Sequence, residues 1–305
     1  MKRKGILVVG SANMDLVVRS GRFPAPGETI FGEGFAMHPG GKGANQAVCA
    51  AKLGGNVRFL GKVGDDLFGV NLTRGMRRDG VRLDHLLVDD ASPTGTAFIE
   101  VDGKGQNEII VISGSNMRLL PRDIRRAGRA FDGTEVLLLQ LEVPLETVAE
   151  AARVARGRGI TVVLNPAPAR TLPRKLLGLV DYLTPNETEL GQLAGMNVTG
   201  LPSAVRAARA LLARGVRGIV VTLGSRGALH VDGETFRRYA ALRVKPVDTT
   251  GAGDAFNGAF ACALAEGRPL PEAIPFANAV AAISVTRPGA QSSMPTMREV
   301  RALSD

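Results

Sequence analysis

The chain has few of the residues that build metal centres and disulfide frameworks. Its 305 residues include two cysteines, Cys49 and Cys262, and three histidines. Both cysteines lie in Ala-rich helical patterns, so we interpret them as small buried apolar residues. Neither has a third ligand nearby, and His38, His85 and His230 show no metal-binding spacing. The sequence therefore indicates neither a disulfide nor a metal-binding cysteine pair.

Aromatic residues are also scarce, which weighs against nucleic-acid binding. Tryptophan is absent and the aromatic fraction is 4%, so few side chains are available to stack on bases. A formal net charge of +9 makes nucleic-acid binding an alternative to consider. The arginines are dispersed, in short pairs such as Arg77-Arg78, and form no basic block. We interpret the charge as a solvated surface that favours anionic substrates, with no nucleic-acid partner.

Long apolar runs are missing as well. No segment approaches the length of a membrane span, so no membrane partner is expected. The basic residues 1–4 precede an apolar segment, Gly5 to Val9, that is too short for a signal-peptide core. We therefore expect a cytoplasmic protein. The composition, 45% apolar and 22% charged, is that of a globular protein, and the length allows one large α/β domain or two small ones.

Short apolar strands alternate with amphipathic helices along most of the chain. This alternation predicts an α/β fold with a central, mostly parallel sheet and helices on both faces. The predicted core strands are Ile6–Val9, Val57–Leu60, Val136–Leu141, Thr161–Leu164, Tyr182–Leu183 and Gly218–Thr222. The predicted helices are Ala44–Leu53, Phe68–Arg78, Leu145–Arg156, Ser203–Arg214, Asp254–Ala265 and Pro271–Val285. No linker or internal repeat interrupts the pattern, so residues 1–305 are expected to form a single domain.

Two places break this alternation. Leu16–Ser20 and Thr29–Phe35 read as strands with no helix between them, and Gly95–Val101 and Glu108–Ile112 flank a turn at residues 102–105 that is typical of a hairpin. We predict that these segments, from about 16–35 and 95–112, form a small second sheet. The alternative is two separate surface hairpins.

The stretch from Asp248 to Phe256 is the most informative motif. Gly251 and Gly253 precede a helical pattern, so they lie at a helix N-terminus where backbone N–H groups have no intrahelical partner. Such an end is a ready anion site. Asp254 would repel a bound phosphate, yet it could take a proton from a hydroxyl that attacks the phosphate. The alternative is a glycine-rich turn in which Asp254 only caps the helix.

Two common nucleotide-binding motifs are absent. Lys42 could be mistaken for a P-loop lysine, but Ala36 stands where the first glycine of that motif belongs, and Gly43 follows the lysine. The segment Val9 to Asn13 lacks the second and third glycines of the Rossmann dinucleotide pattern. The sequence therefore argues against a P-loop NTPase and against a dehydrogenase.

Several segments together resemble the ribokinase family of sugar kinases. The stretch from Asp248 to Phe256 is similar to the C-terminal signature of that family, and the stretch from Gly40 to Ala47 is similar to its N-terminal signature. The remaining motifs occur in the expected order: Asn13–Asp15, Asn165–Ala169, Thr184–Glu189 and Thr222–Gly227. The resemblance extends from about Gly5 to Pro295, which is nearly the whole chain.

The resemblance implies a ribokinase-like fold in which the small sheet is a lid. It also implies an enzyme that transfers phosphate from ATP to a sugar, with D-ribose phosphorylated at O5, and a possible homodimer joined through the lid. The first alternative is another kinase of the family, acting on fructose, a ketodeoxy sugar or a nucleoside. The second is a non-catalytic regulator that binds a sugar or nucleotide on the same fold.

The resemblance also assigns roles to individual residues. Asp254 would be the catalytic base, and the N–H groups of Gly251, Ala252 and Gly253 would form an anion hole. The residues implied for the sugar are Asn13, Asp15, Gly41, Lys42, Gly43, Asn45 and Glu142. Those implied for ATP are Asn186, Thr222, Leu223, Gly224, Ser225, Gly227, Gly253 and Asn278.

Two cations are implied in the same way. Asn186 and Glu189 would hold Mg²⁺ against the ATP phosphates, mainly through water, which suits the few protein ligands that Mg²⁺ takes. The spacing of these two residues fits a helix capping box equally well. An activating K⁺ would be bound by Asp248, Thr250, Ser284, Arg287, Gly289 and Ser293, several of them through backbone oxygens. A plain C-terminal turn is the alternative for this last segment.

Overall fold

The computed structural model describes residues 5–233 and 235–302, which form three sheets with helices packed around them. Residues 1–4, whose basic character entered the expectation of a cytoplasmic protein, lie outside the described part. Across the described ranges, no helix combines the length and the apolar character needed to cross a bilayer. Cys49 and Cys262 are both buried, as the sequence predicts.

The strands and helices follow the predicted alternation. The strands are β1 (Gly5–Val9), β2 (Asn13–Arg19), β3 (Gly34–Gly40), β4 (Asn56–Leu60), β5 (Lys62–Gly64), β6 (Leu87–Asp89), β7 (Gly95–Val101), β8 (Asn107–Ile112), β9 (Thr134–Leu139), β10 (Thr161–Leu164), β11 (Tyr182–Leu183), β12 (Gly218–Thr222), β13 (Ala228–Asp232) and β14 (Thr235–Tyr239). The helices are α1 (Lys42–Lys52), α2 (Leu67–Arg78), α3 (Pro121–Arg126), α4 (Leu145–Gly157), α5 (Arg174–Leu177), α6 (Glu187–Ala194), α7 (Leu201–Leu212), α8 (Ala252–Ala265), α9 (Leu270–Ser284) and α10 (Met297–Arg301).

The main sheet has eight strands in the order β14-β13-β12-β11-β10-β9-β1-β4. The six strands from β12 to β4 are parallel, and they are the six predicted core strands, although β9 ends two residues earlier than predicted. The antiparallel strands β13 and β14 were not predicted. Four of the five residues of β14 are exposed, so it lacks the apolar run that marks a core strand.

Helices cover both faces of the main sheet. Every residue of β1 is buried, and successive side chains alternate between two apolar clusters. Ile6 and Val8 pack with the cluster that includes residues of α1, α8 and α9, whereas Leu7 and Val9 pack with the cluster under α4 and α7. Because the side-chain period of a strand is two, burial on both faces requires this unbroken apolar sequence.

The small sheet exists as predicted, but one of its strands lies elsewhere. Its order is β3-β2-β7-β8, and β2 and β7 are parallel. The predicted strand Thr29–Phe35 is wrong: the strand is Gly34–Gly40, and residues 27–33 contain no strand. Apolar character misled the prediction, because Phe31 is 99% exposed in a loop, whereas the register is set by pairing of Asn13 with Gly40.

Helices α1 and α8 pack unusually close together at a glycine. A Cβ atom built on Gly258 would lie 2.7 Å from both Cβ of Cys49 and the carbonyl oxygen of Gln46. Only a residue without a side chain allows this distance. The contact sets how closely α1 approaches the first turn of α8, where Asp254 lies.

Replacing Gly258 with alanine should therefore destabilise the fold. We expect Gly258→Ala to lower the free energy of unfolding by about 1–3 kcal/mol, the usual cost of overpacking. Gly75→Ala is the matched control, because Gly75 is also within a helix but has no atom within 4 Å of its Cβ position. That change should be neutral or stabilise by about 0.5–1 kcal/mol. Urea unfolding measures both, and equal effects would contradict the close contact.

Candidate active site

The predicted site residues gather at one edge of the main sheet. Asn13 begins β2 just after β1, and Glu142 follows β9. Asn186 follows β11, and Thr222 ends β12. This edge is formed by the carboxyl ends of the parallel strands, where ligands bind in open α/β sheets.

Asp254 lies in the first turn of α8 and is 6% exposed. Its Oδ2 accepts a hydrogen bond from Nδ2 of Asn45 at 2.9 Å, and its Oδ1 accepts one from Nε2 of Gln46 at 2.9 Å. Burial raises the pKa of the carboxyl group, while the nearby Lys42 ammonium and the two amide hydrogen bonds act in the opposite direction. A raised pKa brings a carboxylate closer to the range useful for proton transfer near neutral pH.

Acidic and amide side chains form a polar cluster beside Asp254. Oε2 of Glu142 accepts hydrogen bonds from Oγ of Ser11 at 2.5 Å and from the backbone N–H of Lys42 at 2.9 Å. Oδ1 of Asn13 accepts a hydrogen bond from Nδ2 of Asn116 at 2.7 Å. Three of the seven predicted sugar-site residues, Asn13, Asn45 and Glu142, therefore have side chains held in fixed orientations.

The Lys42 ammonium is the cationic centre of this cluster. Four carboxyl groups attract it, those of Asp15, Glu142, Glu189 and Asp254. Burial lowers the pKa of Lys42, but attraction to the carboxylates outweighs burial and the pKa is raised. Lys42 therefore stays charged and offsets part of the mutual repulsion among the acids.

The Asp15 carboxyl group is also strongly perturbed. Burial, followed by repulsion from Glu142 and Asp254, raises its pKa to about 7, while Lys42 lowers it. No protein donor satisfies the Asp15 carboxylate in the described part of the chain, so its oxygens are available to accept hydrogen bonds from a ligand.

The glycines of the Gly40–Gly43 segment lie close to the backbone that connects β1 and β2. The backbone N–H of Gly43, a residue implied for the sugar, donates to Oγ of Ser11 at 3.3 Å. Gly41 has a φ of 83°, and a Cβ atom there would lie 2.7 Å from the backbone nitrogen of Asn13. These glycines allow α1 to pack tightly against the β1–β2 connection.

Two of the three predicted anion-hole donors at the start of α8 are free within the described part of the chain. The N–H groups of Gly251 and Gly253 have no acceptor among the described residues, whereas the N–H of Ala252 donates to the carbonyl oxygen of Thr249 at 3.2 Å. Ala252 is therefore not a free anion-hole donor, because its N–H is used within the turn. Gly251 has a φ of 74°, a conformation that glycine adopts easily.

A cavity of about 720 Å³ ends at this helix terminus. Its lining includes most of the predicted ATP residues: Asn186, Thr222, Gly224, Ser225, Gly227, Gly253 and Asn278. Leu223 does not line the cavity, because its side chain packs in the apolar core under α7. The prediction missed the segment from Ala241 to Pro246, together with Phe256, which supply much of the apolar lining.

Asn278 contributes its amide to this cavity in a fixed orientation. Its Nδ2 donates to the carbonyl oxygens of Tyr239 and Ala240, each at 3.3 Å. Both amide hydrogens are used by the protein, so Oδ1 is the atom left to contact a ligand.

Asn186 and Glu189 form the capping box that the sequence allowed. The N–H of Glu189 donates to Oδ1 of Asn186 at 2.8 Å, and the N–H of Asn186 donates to Oε2 of Glu189 at 2.9 Å. Outside these two hydrogen bonds, Asn186 has Nδ2 and Glu189 has Oε1. Within residues 5–233 and 235–302, no cluster of three or more His, Cys, Asp or Glu groups could hold a metal ion.

Asp248 connects the predicted cation loop to the start of α8. Its Oδ1 accepts a hydrogen bond from the N–H of Thr250 at 2.9 Å, and its Oδ2 accepts one from the N–H of Gly289 at 2.8 Å. The Arg287 side chain instead forms an ion pair with Glu299, so Arg287 could contribute only its backbone oxygen.

The serines of this loop are committed to local hydrogen bonds. Oγ of Ser293 donates to the carbonyl oxygen of Ala290 at 2.8 Å, and Oγ of Ser284 donates to that of Ala281 at 2.9 Å. The carbonyl oxygen of Ser284 accepts a hydrogen bond from the N–H of Arg287 at 3.2 Å.

Sequence reasoning missed the amides that hold the site together. Gln46 contacts Asp254, Asn116 holds Asn13, and Gln291 donates to Oδ1 of Asn45 at 3.1 Å. A lone Gln or Asn next to an apolar run gives no warning of a buried role, since both are usually exposed.

Comparison with known proteins agrees with the fold and the site. Residues 3–297 match the family model described as pfkB family carbohydrate kinase. The chain is 42% identical to the ribokinase of Haemophilus influenzae over 97% of each chain, and 41% identical to the deoxyribokinase of Salmonella typhi over 96% of each. A solved structure of Arabidopsis thaliana ribokinase complexed with ribose and ATP is 35% identical, covers 99% of each chain and has a TM-score of 0.93.

The fold and the site are therefore those of a phosphotransferase that acts on a sugar hydroxyl group. The chain belongs to the pfkB family of carbohydrate kinases.

The pKa of Asp15 predicts how sugar binding depends on pH. An ionised carboxylate accepts hydrogen bonds from hydroxyl groups, and Asp15 gains this form as the pH rises through about 7. The affinity for D-ribose, measured by calorimetry from pH 5.5 to 8.5, should therefore increase with pH. Asp15→Asn should bind more weakly and almost independently of pH, because asparagine does not titrate.

Asp254→Asn is the control for this experiment. In this variant the affinity for D-ribose should still increase with pH, but the increase should occur at lower pH. The reason is that the negative charge of Asp254, which raises the pKa of Asp15, is removed. If the affinity of the wild-type protein for D-ribose does not change with pH, the assignment of Asp15 as an acceptor for the sugar is contradicted.

Proposed function

We propose that this enzyme transfers the γ-phosphoryl group of ATP to O5 of D-ribose. One observation carries the proposal: the Asp254 carboxylate adjoins the polar cluster of Asp15 and Glu142 on one side and, through Gly253, the end of the 720 Å³ cavity on the other. The names of the H. influenzae and A. thaliana relatives support ribose and ATP as the pair of substrates.

The chemistry follows from this arrangement. Asp254 accepts the proton of the O5 hydroxyl while O5 forms a bond to the γ-phosphorus and the bond to the bridging oxygen of ADP breaks. The free N–H groups of Gly251 and Gly253 donate to the charge that develops on the transferred group. Ribose 5-phosphate and ADP leave, and the proton passes from Asp254 to solvent.

Two cations fit the residues present. The second oxygen of Glu189 and Oδ1 of Asn186, which also accepts the N–H of Glu189, would hold Mg²⁺ through water, and Mg²⁺ would neutralise the ATP phosphates. Asp248 and the backbone oxygens of the 284–293 segment would hold K⁺, since oxygen donors suit hard cations. Because Asp248 also bonds the N–H of Thr250, a cation there would stabilise the turn that presents Gly251 and Gly253.

The small sheet would act as a lid over the sugar. It carries Asp15 on β2, and closing it would exclude water and so limit hydrolysis of ATP.

2-Deoxyribose is the second candidate substrate, because the S. typhi deoxyribokinase is as similar to this chain as the ribokinases. The test is kcat/KM in a coupled ADP-release assay on ribose, 2-deoxyribose, fructose, glucose and adenosine. We expect ribose to be preferred over 2-deoxyribose by about one to two orders of magnitude, because a missing hydroxyl leaves a buried acceptor unpaired. Preference for 2-deoxyribose would select the second candidate, and preference for fructose or adenosine would exclude both.

Removing the base should abolish most of the activity without unfolding the protein. Asp254→Asn keeps the size of the side chain, so we expect kcat to fall by ~10²–10⁴-fold while binding of ATP and ribose persists. Steady-state kinetics with calorimetric binding measures both. A variant that keeps most of its kcat would remove Asp254 from the proposed role.

Potassium should activate the enzyme. We expect higher kcat in KCl than in NaCl at equal ionic strength, with Mg²⁺ required in both, and a smaller ratio in Asp248→Ala. Equal rates of the wild-type enzyme in potassium-containing and potassium-free buffer would exclude the cation site.

The exposed face of the small sheet would join two copies of the chain. Met37, Phe98 and Ile110 are exposed apolar residues that lie in one cross-strand row with Leu16. A contiguous apolar patch of this kind marks an interaction surface. Ile110→Asp should give a monomer by light scattering, whereas Val70→Asp on exposed α2 should not change the molar mass. A monomeric wild-type protein would exclude the dimer.

A further inference from the structure

Gln46 contacts the proposed base but cannot contact a substrate. Its side chain is fully buried, and its Nε2 donates to Oδ1 of Asp254 at 2.9 Å. The other carboxylate oxygen accepts a hydrogen bond from Asn45 at 2.9 Å. Each oxygen of the base therefore has one amide donor from α1, and the plane of the carboxylate is fixed before any substrate binds.

Two further buried amides fix the direction of the Gln46 side chain. Its Nε2 also donates to Oδ1 of Asn165 at 3.1 Å, and its Oε1 accepts a hydrogen bond from Nε2 of Gln140 at 2.6 Å. Asn165 is itself oriented, because its Nδ2 donates to the carbonyl oxygen of Thr184 at 3.1 Å. Both hydrogens of the Gln46 amide are therefore used, and its oxygen is turned away from Asp254.

Gln140 is held in an arrangement that leaves one of its own atoms unsatisfied. Its Oε1 is buried without a hydrogen-bond partner, which is unfavourable in a protein interior. Reversing the Gln140 amide would bring its oxygen against Oε1 of Gln46. Reversing both amides would bring the Gln46 oxygen against the Asp254 carboxylate. The unsatisfied oxygen is thus the consequence of directing an N–H group at the base.

We propose that Gln46 is a positioning residue for phosphoryl transfer, which keeps the Asp254 carboxylate ionised and oriented toward the attacking hydroxyl, and that Gln140 orients Gln46. This inference rests on the proposed role of Asp254 as the base. A hydrogen bond donated to a carboxylate favours its ionised form, so losing the bond should make the base harder to ionise.

Other titratable groups face Asp254 from each neighbouring element. They are Lys42 and Cys49 on α1, Asp15 on β2, Glu142 after β9 and Glu189 on α6. A substitution of Gln46 leaves all of them in place. With a neutral replacement such as Gln46→Met, a displaced pH profile then reports the lost hydrogen bond rather than a changed set of charges.

The experiment measures the rate of phosphoryl transfer in a single turnover, with D-ribose and Mg-ATP, from pH 5.5 to 9.5. Gln46→Met keeps the length of the side chain and removes the donor. We expect the apparent pKa of the rising limb to increase by roughly 1–2 pH units, the value of a hydrogen bond to a charged group. Gln46→Glu places a second carboxylate beside the base and should give a larger increase.

Three controls separate the possible results. Gln192→Glu makes the same change at an exposed position on α6 and should leave the profile unchanged. Gln140→Met should move the limb in the same direction by a smaller amount, and it decides the question if Gln46→Met does not fold by circular dichroism. Asp254→Asn shows whether Asp254 is the base at all.

The outcomes distinguish this inference from the proposed function. A uniform loss of rate with an unmoved limb, or no loss, in folded Gln46→Met would overturn the positioning role while an inactive Asp254→Asn left the base assignment intact. Rapid transfer by Asp254→Asn would overturn both.

Discussion

The structure of this site depends on the burial of one charge. The Asp254 carboxylate is almost enclosed, and a buried charge is strongly unfavourable unless other groups hydrogen-bond to it or pair with it. Asn45 and Gln46 supply the hydrogen bonds and Lys42 supplies the opposite charge. All three lie in the first two turns of α1, so the position of α1 relative to α8 determines whether Asp254 can be buried as an anion.

The close packing of α1 against α8 serves the burial of the Asp254 anion. Gly258 lets α8 approach the backbone of α1 at Gln46, which brings two amides on consecutive residues of α1 within 2.9 Å of one carboxylate. The main sheet then completes the arrangement, because Gln140, which follows β9, and Asn165, which follows β10, form hydrogen bonds that orient the Gln46 amide. A substitution far from any ligand can therefore change the chemistry.

Sequence patterns predicted the parts of the molecule that depend on local physics. Unbroken apolar runs marked the parallel strands, and the glycines before Asp254 marked the free helix end. The patterns failed where distant residues decide the outcome. Phe31 looked like a strand residue but has no partner strand, and Ala252 looked like a free donor but bonds Thr249. Gln46 lies within the Gly40–Ala47 motif, but nothing in the sequence indicated its contact with Asp254 or its support by Gln140, because only the fold brings these residues together.

The connection between β1 and β2 constrains how the small sheet can move. Gly10, Ser11 and Ala12 are buried, and their backbone groups bond to Leu60, Ala44 and Asn116. A sheet fixed at this end would move as a cantilever, with the smallest displacement beside the connection and the largest at the free ends of its strands. Asp15 lies three residues from the fixed end, so any such movement would displace it less than the far ends of the strands. If the small sheet acts as the proposed lid, the sugar would therefore meet Asp15 before the sheet closes, and closure would serve mainly to expel water.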